Sequence, residues 1–128
     1  MAYSVLIAED EPNIVLSLQF VMEKAGFSVR VAEDGEQAVR EMKNECPDAV
    51  LLDIMLPKRD GFSVCEKIKS TPDWSDVKVI MLTAKSREED KQRAYDLGAD
   101  DYITKPFSTR ELAERVVELV SGNEAANA

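Results

Sequence analysis

The sequence predicts an α/β fold, a parallel β-sheet with helices packed on both faces. Three observations carry that prediction. Short apolar runs alternate five times with amphipathic stretches along the 128 residues. The stretches between the runs repeat their apolar residues every three or four positions, the spacing of a helix with one buried face. The polar residues that break the pattern fall where the apolar runs end, which is where open α/β sheets gather their chemistry. Strand–helix alternation at this spacing gives parallel strands covered on both sides. The right-handedness of crossover connections leaves few topologies.

The first strand is read at residues 4–8, the apolar run Val5-Leu6-Ile7-Ala8. Pro12 suits the first turn of the helix that follows, where a missing N–H costs nothing. Ile14, Leu18, Val21, Met22 and Ala25 form its apolar face, Gly26 is its expected C-terminal cap, and Phe27 supplies the accompanying contact. Phe27 to Val31 is a second, shorter strand. Ala38, Val39 and Met42 mark a helix that ends before Pro47, and residues 48–53 make the third strand. Pro57 and Gly61 punctuate the loop after it. A helix through Val64, Cys65 and Ile68 then stops before Pro72. Val77 and Val79 to Leu82 form the fourth strand, ending at Thr83, and helix four runs from about Glu88 to Leu97 with Gly98 as its cap. A fifth strand covers Asp101 to Thr104. After Lys105-Pro106, the last helix carries Leu112, Val116, Leu119 and Val120 on one face.

Size and composition bound the function. A chain of this length makes one domain with a real core, and 45% hydrophobic with 32% charged residues is the balance of a soluble globular protein. The apolar runs are far too short to span a membrane, and the N-terminus leads straight into a strand with no secretory pattern, so a cytoplasmic protein is expected. Sixteen basic residues against 25 acidic ones leave a net charge of −9, which argues against nucleic-acid binding through a basic face. There is no histidine, and Cys46 and Cys65 lack metal-ligand spacing, so a zinc site or disulfide framework is not expected. Both cysteines are read as reduced core residues. The sequence holds no repeat. The small, polar stretch Ser121 to Ala128 is expected to fray, which sets a domain at 1–122 and a flexible tail at 123–128.

Asp53 closes the apolar run Ala49-Val50-Leu51-Leu52, and a buried carboxylate needs a partner or a metal. The first strand likewise ends in Glu9-Asp10-Glu11. If the two strands lie side by side, their ends place several carboxylates in one crevice. A nucleotide-binding turn would put glycines there to cradle phosphate. Carboxylates repel bare phosphate, so the first guest is a cation, and an all-oxygen set suits Mg²⁺ or Mn²⁺. Asp53 can then serve as a nucleophile, because carboxylates form acyl phosphates. Lys105 offers positive charge and Thr83 a hydroxyl, and phosphoryl transfer asks mostly for such positioning and electrostatics. Singly, each residue has a plainer role. Glu9 and Asp10 suit a helix N-terminus, Lys105 a solvated surface, and Tyr102 a core aromatic with a polar tip. Together they fall at one edge of one sheet.

In this order the residues resemble the receiver domain of two-component response regulators, of the chemotaxis-regulator type. The likeness covers about residues 3–121. It rests on Val5-Leu6-Ile7-Ala8-Glu9-Asp10-Glu11-Pro12, on Leu51-Leu52-Asp53-Ile54-Met55-Leu56-Pro57 with Gly61, on Val79-Ile80-Met81-Leu82-Thr83-Ala84, and on Gly98-Ala99-Asp100-Asp101-Tyr102-Ile103-Thr104-Lys105-Pro106-Phe107. The resemblance implies a flavodoxin-like, doubly wound five-stranded sheet in the order 2-1-3-4-5 with five helices. It implies phosphorylation of Asp53 by a sensor histidine kinase or a histidine phosphotransfer protein. Asp10, Asp53 and the backbone carbonyl of Met55 would ligate Mg²⁺, with Glu9 acting through a bound water. Thr83 and Tyr102 match the switch pair and Lys105 the phosphate-contacting lysine. The Lys105–Pro106 bond is expected to be cis.

Many receivers have two aspartates where this chain has Glu9-Asp10, which implies altered metal affinity. Met55 and Lys85 sit where the family varies and where the lifetime of the phosphoryl group is set. The face formed by helix four, strand five and helix five makes phosphorylation-dependent homodimers in winged-helix regulators. Lys91, Glu111, Asp101 and Arg115 resemble two of its charge pairs, while Val117 stands where a third would need a base. Direct binding of nucleic acid or membrane by this domain is not implied. The domain is expected to be no enzyme beyond catalysing its own phosphorylation and dephosphorylation. Rivals are an aspartyl-phosphate-forming phosphohydrolase, which would want a second acid two residues after Asp53, a flavodoxin-like electron carrier, and a receiver-like domain that is never phosphorylated. No output domain follows residue 121, so the chain is either a stand-alone regulator or part of a longer one.

Overall fold

The computed structural model describes residues 3–84 and 87–127, with the backbone alone for 123–127. Five strands and five α-helices alternate: β1 (Ser4–Ala8), α1 (Pro12–Lys24), β2 (Ser28–Ala32), α2 (Gly35–Asn44), β3 (Ala49–Asp53), α3 (Gly61–Ser70), β4 (Lys78–Thr83), α4 (Glu88–Asp96), β5 (Asp101–Thr104) and α5 (Thr109–Asn127). A short 3-10 helix, Pro72–Trp74, sits between α3 and β4. All strand pairings are parallel, in the order β2-β1-β3-β4-β5. The chain therefore winds out in one direction from β1 and in the other from β3, and the crevice where ligands collect lies between those two strand ends.

The sheet separates two cores, as alternation of side chains requires. Leu6, Val50, Leu52, Val79 and Met81 point to one face, where α2, α3 and α4 cover them with Met42, Phe62, Val64, Ile68 and Ala94. Val5, Ile7, Leu51, Ile80 and Leu82 point to the other, against Leu18 and Met22 of α1 and Leu112 and Val116 of α5. β3 is buried along its whole length, which is why it reads as an unbroken apolar run.

Two helix ends close in the same way. After α1, Gly26 (φ 97°) donates to the Glu23 carbonyl and Phe27 to that of Met22, at 3.0 Å each. After α4, Gly98 (φ 101°) donates to Tyr95 and Ala99 to Ala94, again at 3.0 Å. Both are Schellman motifs with glycine in the left-handed position. The first explains a departure from the sequence reading. Phe27 belongs to the helix cap, and β2 begins one residue later at Ser28. Ala25, expected on the apolar face of α1, is its exposed C-cap.

The 3-10 turn was not foreseen. It buries Trp74, and Pro72 at its start sets the φ the turn needs. Cys65 is a core thiol as expected, but Cys46 is exposed in the segment after α2. Among the described residues no helix is long and apolar enough to cross a membrane.

Candidate functional site

Strand register builds the site. Ala8 lies beside Leu52, Asp53 beside Leu82, and Thr83 beside Thr104. Glu9, Asp53, Thr83 and Lys105 therefore leave the sheet at the same edge, each at or just past the end of its strand. Asp53 is held there by close packing of the loop that returns to α3. Gly61 donates to the Ile54 carbonyl at 2.9 Å, and the next residues form a helix capped by Asp60, whose carboxylate accepts from Ser63 N–H.

Glu9 is 1% exposed and Asp53 5%, whereas Asp10 is exposed. One carboxylate oxygen from each of the three lies within 4.8 Å of the others. Lys105 Nζ enters from the far side, 2.7 Å from Glu9 Oε1 and 3.6 Å from Asp53 Oδ1. Glu9 Oε2 accepts from the N–H groups of Asp10 and Glu11 at 3.1 and 3.2 Å. Both oxygens of Glu9 are thus already engaged. Asp53 Oδ1 accepts a longer bond of 3.4 Å from Met55 N–H.

The pocket gathers three acids against the one ammonium of Lys105. Burial and then the charge of Asp53 push the Glu9 carboxyl above its ordinary range, although the hydrogen bond from Lys105 opposes them. Burial works against the Lys105 ammonium, but its bond to Glu9 and the charge of Asp53 outweigh it and hold that pKa high. A pocket of buried oxygens with surplus negative charge fits a hard divalent cation.

Thr83 is fully buried at the end of β4, and its carbonyl accepts from Lys105 N–H at 2.6 Å. Tyr102 is half-buried one strand further on, packed against the core beneath α4. Burial and then the charge of Asp90 push its phenol up, and a hydrogen bond with Thr83 acts the other way. The Lys105–Pro106 peptide is cis. Lys85 lies outside the described residues.

The two charge pairs on the α4–β5–α5 side differ from each other. Lys91 and Glu111 are exposed, and neither forms an ion pair among the described residues. Asp101 and Arg115 are already paired within the one chain, and Tyr102 N–H donates to Asp101 Oδ1 at 2.8 Å. Two features go beyond the sequence reading. Asp90 on α4 drew no reading from the sequence, and one of its carboxylate oxygens is buried. Gly61 read as loop punctuation, yet a β-carbon there would stand 2.4 Å from the Asp53 carbonyl oxygen.

Comparison with known proteins gives one family. The model of the response regulator receiver domain matches residues 5–117. The alkaline phosphatase synthesis transcriptional regulatory protein PhoP of Bacillus subtilis is 43% identical over 126 residues, covering 98% of this chain and 52% of that protein. The chain therefore spans about half the length of this curated relative. A CheY-like receiver domain protein of Methanospirillum hungatei superposes with a TM-score of 0.88 at 30% identity, over 98% of this chain and 99% of that one. The response regulator DrrB of Thermotoga maritima, an OmpR/PhoB homologue, gives 0.87 at 31%, over 96% of this chain and 54% of that one.

Proposed function

The chain belongs to the response regulator receiver domain family, and from that premise we propose that Asp53 is the residue on which it accepts a phosphoryl group. Receiver domains of two-component systems are signalling modules, not enzymes acting on an external substrate. One observation carries the assignment to Asp53. It is a buried carboxylate at the end of the central strand, 3.6 Å from a lysine ammonium and within 4.8 Å of two further acids.

The donor is a phosphohistidine on a sensor kinase or a phosphotransfer protein. An Asp53 carboxylate oxygen attacks phosphorus, the O–P bond forms, the N–P bond breaks, and the imidazole leaves with the electron pair. Lys105 places its ammonium where the transferred oxygens carry charge. Asp10, Asp53 and the Met55 backbone carbonyl would hold Mg²⁺ or Mn²⁺, with Glu9, its oxygens already occupied, in support. Bound there, the ion neutralises charge on the phosphoryl group. The same residues promote the later loss of that group to water, and nothing else is turned over. Exposed Leu16 and Phe20 on α1 support docking of a protein partner close by.

Phosphorylation adds roughly −1.5 to −2 charge. Thr83 turns toward the new oxygens, Tyr102 moves into the space it leaves, and the α4–β5–α5 face shifts population toward an output-competent form. Likeness to a transcriptional regulator makes gene control the output we propose, with pairing of two copies on that face. The setting is the cytoplasm and the domain is residues 1–122, with α5 continuing past that boundary to Asn127. Mass spectrometry after incubation with a small phosphodonor and Mg²⁺ tests the reading. Wild-type protein gains a phosphoryl group and Asp53→Asn, folded by circular dichroism, does not. Undiminished labelling of the variant overturns the assignment.

A further inference from the structure

Residues 54–60 join β3 to α3 with no helix or strand of their own. They carry Met55, whose backbone carbonyl is a proposed metal ligand, and Gly61 seats only one end of them. Their middle is seated on the start of α2, a helix that lends nothing to the acid pocket. The Pro57 carbonyl accepts two N–H groups, from Arg59 at 2.7 Å and from Gly35 at 3.2 Å. The first bond closes a γ-turn centred on Lys58, whose φ is 66°. Among the described residues no other non-glycine residue has a positive φ. That conformation is costly for a residue with a β-carbon, and it persists where its surroundings hold it. The second bond helps to hold it here. Gly35 opens α2, so its N–H has no acceptor within the helix. The cap, Asp34, accepts from Gln37 N–H, and Gly35 donates to Pro57.

Gly35 is a glycine for room, since it has no positive φ. A β-carbon there would stand 1.9 Å from the Arg59 carbonyl oxygen and 2.6 Å from the Arg59 Cβ, where ordinary contact begins near 3.4 Å. Any side chain would drive the turn off α2 by well over an ångström. Lys58 Nζ also reaches Asp34 Oδ2 at 3.7 Å across the junction, but so exposed a pair adds little.

We propose that Gly35 is a positioning residue for the divalent cation. By seating the Pro57–Arg59 turn on α2, it fixes where the Met55 carbonyl stands relative to Asp10 and Asp53. The inference rests on the reading of Met55 as a ligand. Mg²⁺ demands a near-ideal octahedron with its ligands at about 2.0–2.1 Å, so a carbonyl that retreats with the turn is a ligand lost. A residue that touches neither the ion nor the acids then sets the affinity of the site.

Calorimetric titration of the full chain with Mg²⁺ alone tests this. Gly35→Ala raises the dissociation constant about tenfold or more, the range for groups that orient metal ligands. Lys58→Val, β-branched and averse to positive φ, raises it too, from an exposed position. Lys58→Gly, free to take that φ, keeps the wild-type affinity. In phosphodonor labelling, Gly35→Ala and Lys58→Val need more Mg²⁺ for half-maximal rate, while the rate at saturating Mg²⁺ stays near that of wild type. A folded Gly35→Ala with wild-type Mg²⁺ affinity overturns the inference, and so does a loss of rate that saturating Mg²⁺ does not restore. If Gly35→Ala does not fold, Lys58→Val set against Lys58→Gly decides, and equal affinities overturn it. Wild-type protein that binds no Mg²⁺, or Asp53→Asn that binds it as tightly as wild type, overturns the metal reading and this inference with it.

Discussion

Gly61 fixes Asp53 by what it lacks. A β-carbon there would meet the Asp53 carbonyl oxygen at 2.4 Å and the Ile54 Cα at 2.7 Å, all backbone atoms that cannot step aside. The start of α3 is laid directly on the strand end that presents the acid. Gly61→Ala should cost about 1–3 kcal/mol, the range for overfilling a packed site, and should slow phosphodonor labelling by displacing Asp53. Urea denaturation of Gly61→Ala beside Gly122→Ala checks it, because Gly122 has nothing within 4 Å and its replacement should be neutral or better. Equal stability of the two variants would sink the argument. At this scale the sequence shows which residues reach the sheet edge, because strand ends are visible as the last residues of apolar runs. It does not show partners. That Lys105 sits closer to Glu9 than to Asp53 depends on a contact 96 residues apart in the chain, and that Asp90 turns inward depends on the roll of α4.

All five strands and the five α-helices were legible, the central strands as short unbroken apolar runs that end at polar residues and the helices by apolar residues every three to four positions. The shift of β2 by one residue came from tertiary closure of the α1 cap, which claimed Phe27. The Pro72–Trp74 turn escaped because three residues carry no period. The face built from α4, β5 and α5 was read as two charge pairs between copies, and the structure shows one of them closed within a single chain. Arg115 is about half exposed and its bond to Asp101 holds α5 against β5. Such a pair adds little stability by itself, so its exchange for a pair across two copies is cheap in either direction. Self-association should therefore follow activation and not mere concentration. Sedimentation velocity with and without beryllofluoride and Mg²⁺ should show dimer only in the activated sample, and Arg115→Ala should weaken it several-fold. A monomer in both conditions would dismiss pairing on this face.

The whole molecule places its candidate chemistry and a cluster of hydrogen bonds around Asp100 at opposite ends of the same strands. Near the start of β4, Lys69 Nζ donates to the Val77 carbonyl at 2.7 Å and pairs with Asp100 Oδ2 at 3.0 Å. That same oxygen accepts from Val79 N–H at 2.8 Å, and Asp100 N–H returns a bond to the Val79 carbonyl at 2.8 Å. At its other end β4 releases Thr83 into the loop before α4. In mechanical terms β4 is a beam clamped at one end and loaded at the other. If Thr83 is drawn toward a phosphoryl group as proposed, the tip of β4 should move while the clamp keeps the rest of the sheet, and both cores, from following. Native-state hydrogen exchange should show it, with Val79 among the slowest amides and protection falling toward Ala84. Protection that is level along β4 would mean the clamp carries no load. A domain built so can be tripped many times without loosening what holds it together.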